Sequence, residues 1–402
     1  MAGTTDALRA ELEEVVRHLA AFERPSASDG ERRAAEWIAH RLRDHGCAAR
    51  VEEERAHGSY WWPMGLLCGL AAAGALTGRS AAALAAGAFA AATIADDITG
   101  GRQWFRRRLL PSRPTWNVVA QAGDGGAERT VVVVAHHDAA HTSLLFSPAP
   151  SAFVGERFPA LLERTDTTPP LMWPVIGGPL LVAAGALLGA RRVLVAGTLL
   201  SLASVAAFAE IGSRGVVPGA NDNLTGVATL IGLARRLSEE PVEGLRVLLV
   251  STGSEESFME GMQAFGRRHF ASLPRDRTHV VCVDTVGSPE LVMLEGEGML
   301  RMNDYPEPFR ELVADCARRA GVHLRRGLRF RNATDALIAL RAGYPTAMLG
   351  SVNRHKLPDN YHWPTDTPDN VDFSTTSDAV ALCHEVVRNL AFRGWTSSTH
   401  RK

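Results

Sequence analysis

Four nearly uncharged apolar runs, arranged as two pairs, limit what this 402-residue chain can fold into more than any other feature. The first pair covers Tyr60 to Thr77 and Ser80 to Ala95, with Arg79 the only charge between them; the second covers Leu171 to Ala190 and Val193 to Ala209, separated by Arg191 and Arg192. Runs of roughly 16 to 20 residues, at about 1.5 Å per residue, approach the roughly 30 Å of a bilayer's hydrocarbon core. They predict two transmembrane helical hairpins, 59–100 and 168–212, and hence a multi-pass membrane protein with four spans. Trp61, Trp62, Trp104 and Trp173 stand near the boundaries, where amphipathic rings favour the lipid–water interface. Ala-rich stretches such as Ala81 to Ala92 are less hydrophobic than a typical span, and buried helices of a large core are the alternative. Arg102, Arg106, Arg107, Arg108 and Arg113 crowd the exit of the first hairpin, so the positive-inside rule puts the bulk of the chain in the cytoplasm and the hairpin tips outside.

The remaining segments, 1–58, 101–167 and 213–402, read as one discontinuous domain. With 43 Lys and Arg against 44 Asp and Glu, interspersed, no preference for nucleic acid is expected. Five cysteines, Cys47, Cys68, Cys282, Cys316 and Cys383, form no Cys-x-x-Cys pair, which argues against a disulfide framework or a thiolate metal knot and suggests a reducing compartment. The N-terminus lacks the basic start and apolar stretch of an export signal.

Helical and strand-like segments alternate in this domain. Ser28-Asp29-Gly30-Glu31 has the spacing of a capping box, and Ala34, Trp37, Ile38 and Leu42 then share a helix face that stops at Gly46. Thr130 to Ala135, Leu245 to Val250, Val280 to Val283 and Thr346 to Leu349 have the length and β-branched content of buried strands. Val227 to Leu237, Phe309 to Ala320 and a last helix carrying Leu382, Val386 and Leu390 have helical spacing. The expected fold is α/β: a three-layer αβα arrangement with a mixed, largely parallel central sheet, plus the two inserted hydrophobic hairpins. In such sheets the working residues gather at the carboxyl ends of strands.

Several of these strand ends carry chelating side chains. His136-His137-Asp138 follows the run Thr130 to Ala135; His136 is read as a metal ligand and Asp138 as the carboxylate that fixes its tautomer. Asp222, in Gly219-Ala220-Asn221-Asp222-Asn223 before a helix, suits a helix-capping turn or a carboxylate bridging two metals about 3.5 to 4 Å apart. Glu255 and Glu256 follow the next strand, where one can bind metal while the other moves a proton; the competing reading puts both in the first turn of a helix spanning Ser257 to Gly266. Asp284 closes the run Val280 to Val283, and His362 lies in the turn-rich segment Asn360 to Thr367.

In this order the residues resemble the two-zinc site of the M28 peptidase family, and the likeness covers essentially the whole chain outside the hairpins. The resemblance implies two Zn2+ per chain, one held by His136, Asp222 and Asp284 and the other by Asp222, Glu256 and His362. It further implies Glu255 as general base and acid, and Tyr361 as a residue that helps polarise the scissile carbonyl. Thr334-Asp335 resembles a family Ser/Thr-Asp motif of open role. A peptide with a free N-terminus would be the substrate and a bilayer the other partner. His137 stands where relatives commonly carry a short aromatic or polar residue, so the ligand there is chosen on spacing. Both hairpins read as insertions relative to compact secreted members. Two alternatives remain: an acyltransferase resembling glutaminyl cyclases, with a single zinc, and a non-catalytic membrane scaffold of the same fold.

Overall fold

The molecule was analysed as a computed structural model that describes residues 2–392. Helices α1 (Ala2–Ala20) and α2 (Asp29–Asp44) precede the edge strand β1 (Ala48–Ala56). Helices α3 (Trp61–Leu76) and α4 (Ser80–Ile98) form the first hairpin, followed by the short helix α5 (Trp104–Leu109) and strands β2 (Arg113–Gly123) and β3 (Thr130–His136). Two short helices, α6 (Pro148–Arg157) and α7 (Pro159–Arg164), lead into the second hairpin, α8 (Trp173–Leu187) and α9 (Arg191–Ser213). Next come α10 (Thr225–Glu239), β4 (Arg246–Thr252), α11 (Glu260–His269), β5 (Thr278–Val283) and β6 (Glu290–Met293). A small three-stranded sheet joins β7 (Gly296–Glu297), β8 (Asn303–Asp304) and β9 (Arg329–Phe330), and the chain closes with α12 (Glu307–Ala320), α13 (Asp335–Arg341), β10 (Thr346–Val352) and α14 (Phe373–Phe392).

The main sheet has seven strands in the order β1-β2-β4-β3-β5-β10-β6. Its centre, β4-β3-β5-β10, is parallel, while β1, β2 and β6 add antiparallel edges. Burial on both faces explains why the central strands are continuous apolar runs. Val131, Val133 and Ala135 point into one core with α1, α2, α10, α12 and α14, whereas Val132 and Val134 point into the other, against α11 and α13. The expected three-layer α/β architecture is therefore the one observed. Each expected strand is present; three are extended by one to three residues, and β4 begins one residue later and ends two residues later than expected.

One expected helix is displaced. Ser257 to Gly266 does not form a continuous helix: Phe258 and Met259 are left-handed, with φ of 70° and 55°, and α11 begins only at Glu260. The capping box at Ser28 is half realised. Ser28 Oγ accepts from Glu31 N at 3.2 Å, but the Glu31 carboxylate accepts from Ala27 N at 2.6 Å and reaches on to other elements.

The apolar runs do fold as two helical hairpins, and α3, α4, α8 and α9 pack into a four-helix bundle with its own buried cluster. Among the described residues only α4 and α9, of 19 and 23 residues, are long and apolar enough to cross a membrane, while α3 and α8 have 16 and 15. The ends are set by backbone chemistry: Pro169 and Pro170 delay α8 to Trp173, and Gly189 (φ 63°) and Gly78 (φ 70°) stop α8 and α3 early. Arg106 must also be withdrawn from the basic cluster that argued for sidedness. It is fully buried, pairing with Asp97 at 2.7 Å and donating to Ser257 O at 2.8 Å.

Small residues bring the bundle helices close together: a Cβ on Gly185 would overlap the backbone of Leu194, one on Gly197 that of Val182, and one on Gly87 that of Ala183, while Met64, Leu67, Ile94 and Phe208 are also buried within it. Leu66, Leu70, Leu76, Leu180, Leu187, Leu188 and Leu199 face outward. Gly185→Val is expected to lower stability by about 1–3 kcal/mol, because α8 must move off α9 to admit the side chain. Thermal unfolding of purified wild type and variant checks this, and an unchanged midpoint would contradict the close approach.

Candidate metal centre

Parallel register brings the chelating residues together. His136 ends β3 and pairs in register with Thr252 of β4, so the loop carrying Glu255 and Glu256 emerges beside it. Asp284 follows β5 on the other flank of β3. Asp222 is supplied by the turn before α10, and His362 by the loop after β10. All five expected ligands thus converge, with Glu255 among them.

Asp222 lies at the middle of the cluster. Its Oδ1 is 3.2 Å from His136 Nε2 and its Oδ2 is 3.2 Å from His362 Nε2. Asp284 Oδ2 lies 3.9 Å from His136 Nε2, and Glu256 Oε1 lies 3.2 Å from His362 Nε2. His136, Asp222 and Asp284 form one group with ligand atoms within 4.8 Å of one another, and Asp222, Glu256 and His362 a second. A third overlapping group joins His136 to Glu255 and Glu256.

The donor set fits zinc. Asp222 Oδ2 and Glu256 Oε1 are buried without a hydrogen-bond partner despite their short distances to His362. Side chains that point at a common centre without bonding one another are arranged as ligands are. Imidazole nitrogen and carboxylate oxygen are ordinary zinc donors. The adjacent His137 does not take part. Its Nδ1 meets Ser251 Oγ at 2.9 Å, and burial drives its pKa down to about 3.

Surrounding groups hold this arrangement. Asp138 accepts from Glu255 N and Glu256 N, each at 3.1 Å, and from Ser26 Oγ at 2.6 Å. His136 Nδ1 lies 3.4 Å from the Asp138 carboxylate and 3.2 Å from its backbone oxygen. Asp138 therefore positions the glutamate pair as much as the histidine. Glu31 accepts from Thr115 Oγ1 at 2.5 Å, Trp116 N at 3.0 Å and Ser254 N at 3.2 Å, tying α2 and β2 to the residue before Glu255. Asp335, expected as part of a motif of open role, accepts from Thr252 Oγ1 behind the same loop, while Thr334 caps α13.

Three partners carried no signal in the sequence. Asp366 accepts from Asn221 N at 2.7 Å and Asp222 N at 3.1 Å, fixing the backbone that carries Asp222 from behind. Arg24, fully buried, donates to His137 O, Pro218 O and Gly219 O at 2.8, 2.6 and 2.7 Å. Phe146 sets its ring edge-on to His362 at 4.6 Å between centroids. None belongs to a periodic pattern or a strand end. Tyr361, expected near the last ligand, stacks on the His362 ring at 3.9 Å.

The electrostatics reflect crowded negative charge. Burial pushes the Glu255 and Asp284 carboxyls well above the usual range; nearby His136 opposes this, and neighbouring carboxylates add to it. Asp222 is held below that range, because the two imidazoles outweigh its burial. Burial alone would lower His362, yet Glu256 and Asp222 raise it to about 10. The imidazoles supply the positive charge that a bound cation would bring.

A cavity of about 720 Å³ opens onto Glu255, Glu256, Tyr361 and His362. Phe146, Phe258, Met259, Met299 and Phe330 line it, along with Tyr60 and Met172 from the roots of the hairpins.

Residues 204–387, a little under half of the chain, match the model of peptidase family M28. That segment contains Asp222, Glu255, Glu256, Asp284 and His362; His136 and Asp138 lie before it and join the site through β3. Three solved structures share the fold. An aminopeptidase from Aneurinibacillus sp. strain AM-1 has a TM-score of 0.56 at 14% identity, over 95% of this chain and 94% of that one. A Zn-dependent exopeptidase from Parabacteroides distasonis has a TM-score of 0.55 at 13% identity, over 95% and 98%. The glutaminyl cyclase of Porphyromonas gingivalis has a TM-score of 0.54 at 14% identity, over 95% and 98%. No curated protein sequence matches.

Glu31→Gln is expected to cost about 1–3 kcal/mol by placing an amide group among buried donors. Amide exchange at 253–257 should accelerate, measured by hydrogen–deuterium exchange. Unchanged protection there would show that Glu31 does not hold the loop.

Proposed function

With the match to peptidase family M28 as premise, we propose that the protein is a two-zinc metallopeptidase that removes N-terminal residues from peptides. The observation that carries this reading is Asp222, with one carboxylate oxygen turned to the His136–Asp284 group and the other to the Glu256–His362 group. One zinc would be held by His136, Asp222 and Asp284, the other by Asp222, Glu256 and His362. When bound, zinc supplies Lewis-acid polarisation and makes water more acidic.

The chain's own groups then divide the work. Glu255 is positioned by the Asp138 contact to its backbone and faces both the ligand cluster and the apolar cavity. It accepts a proton from the attacking water on a carboxylate oxygen and returns it to the departing amine as the C–N bond breaks. Tyr361, beside both chambers, directs its hydroxyl to the carbonyl oxygen as negative charge develops there. Asp138 keeps His136 and the glutamate loop in register. Phe146 and Phe330 keep bulk water from the cleft.

The bundle, 59–100 and 168–212, is seated in a bilayer in this reading, and the rest of the chain forms one discontinuous catalytic domain. Outward leucines and close helix approaches at Gly87, Gly185 and Gly197 support that placement, since small residues at helix contacts are common where helices associate in lipid. Arg102, Arg107, Arg108 and Arg113 favour the cytoplasmic side for the domain. A second reading, a cyclase-like acyl transfer, draws on the shared fold with glutaminyl cyclases.

Metal analysis and catalysis separate the two. Two zinc equivalents per chain and release of amino acids from aminoacyl p-nitroanilides are expected; one zinc and cyclisation of N-terminal glutamine would replace the peptidase reading. Glu255→Gln should retain zinc and lose about 10²–10⁴-fold in kcat. Asp222→Asn should lose both metals together, read by elemental analysis, whereas loss of one alone would remove its bridging role.

A further inference from the structure

We infer that the active-site cavity opens at a lipid surface, and that its substrates are polypeptides whose N-terminal residues are apolar and whose following segment resides in the bilayer. This rests on the peptidase reading and on the seating of the bundle in lipid. The first observation is the segment between β3 and the second hairpin. Leu144, Leu145, Phe153, Val154 and Phe158, five large apolar side chains within one short stretch, are each between 41% and 65% exposed. Contiguous apolar patches of this kind on soluble proteins mark contact with a partner or a membrane.

Continuity with the bundle identifies the partner as lipid. The His141 ring lies 4.4 Å from Trp61, the first residue of α3, and Leu144 N donates to Glu210 of α9 at 3.4 Å. The segment therefore starts at the base of the bundle, where the outward leucines end. Glu156 and Arg157 alternate with its exposed Phe153, Val154 and Phe158, the mixed composition of an element lying in the interface plane.

The inner side of this segment is a wall of the cavity. Leu145, Phe146, Pro148 and Ala152 line it, and opposite them stand Tyr60, Leu171 and Met172 from the hairpin roots. Lys356, whose ammonium donates to Leu162 O and Thr165 O, each at 2.7 Å, fastens the segment to the loop that carries Tyr361 and His362. One layer of chain thus presents apolar groups to lipid on the outside and to the cleft on the inside. At about 720 Å³ the cavity falls within the 300–1,000 Å³ typical of ligand pockets and admits more than one side chain. The way to Glu255 and Glu256 is lined mainly by apolar groups, with Arg331, Asn353, Arg354 and Asp359 also reaching the cavity.

The test uses the full chain, loaded with zinc and reconstituted in phosphatidylcholine vesicles. Two peptides share an N-terminal Leu-Leu-Ala reporter sequence; one is soluble and the other continues into a 20-residue apolar transmembrane segment. At matched bulk concentration the anchored peptide should be cleaved about tenfold or more faster, through its raised local concentration at the mouth. Phe153→Ser combined with Val154→Ser and Phe158→Ser, none of which lines the cavity, should abolish that advantage and leave cleavage of the soluble peptide unchanged. Equal rates for the two peptides in wild type, or an advantage that survives the triple variant, would overturn the inference. Binding of the same peptides, fluorescently labelled, to Glu255→Gln protein in vesicles is read in parallel. A binding preference for the anchored peptide without cleavage by wild type supports the lipid-facing mouth and overturns the peptidase reading; no preference in binding overturns the inference even where both peptides are cleaved.

Discussion

Asp222, Glu255, Glu256 and Asp284 are all withdrawn from solvent within one small volume, and the fold has to accommodate that charge. Removing an isolated carboxylate from water costs several kcal/mol even after relaxation, and grouping them adds repulsion. The arrangement is accommodated by the upward shift that burial gives the Glu255 and Asp284 carboxyls, and by positive charge at the centre. Two imidazoles supply part of it, with His362 raised to about 10 by Glu256 and Asp222 against its own burial. Divalent cations would supply it more completely, and Asp222 Oδ2 and Glu256 Oε1, each 3.2 Å from His362 Nε2 without forming a hydrogen bond, are free to serve them.

A site of that kind must be held by what surrounds it, because its members repel. The supporting groups are backbone donors and buried ions from distant parts of the chain. Asp138 binds the amides of Glu255 and Glu256, Asp366 those of Asn221 and Asp222, and Arg24 three carbonyls around the same turn. Ser254, Thr285 and His362 adopt left-handed backbone conformations, with φ of 51°, 53° and 50°, next to or at the ligands. Such conformations persist only where neighbouring structure over-determines them. The strained loops and the hydrogen-bonded frame are two aspects of one preorganised site.

These relations explain what could be read from the sequence. The ligands stand at strand ends, and a buried parallel strand announces itself as an apolar run, so His136 and Asp284 were visible from the residues before them. Asp222 and His362 were legible only through their order in the chain. The glutamate pair was open to two readings because Ser257 to Gly266 has helical composition; the left-handed Phe258 and Met259, which decide against a helix there, leave no mark on periodicity. Arg24 and Asp366 act through contacts to distant backbone, and a side chain bonded to a distant peptide group carries no local pattern. The same holds for the bundle. Apolar content located its hairpins, but the actual helix ends followed Pro169, Pro170, Gly78 and Gly189 rather than hydropathy.

The hairpins and the chemistry are also mechanically one unit, through Arg106. Its guanidinium is fully buried and reaches Asp97 at the end of α4, Ser59 O before α3, and Ser257 O directly after the glutamate pair. Glu260, 3.5 Å away, completes the network and also accepts from His57 N at 2.8 Å. Separating Arg106 from Asp97 and Glu260 would leave buried charges unpaired, at a cost of about 3–5 kcal/mol. Both ends of the first hairpin are thereby fixed to the loop whose backbone Asp138 holds from the opposite side. A shift of the bundle relative to the sheet must therefore either break the Arg106 cluster or move the loop that carries Glu255. The position of the first hairpin and that of the Glu255 loop are linked through this one arginine.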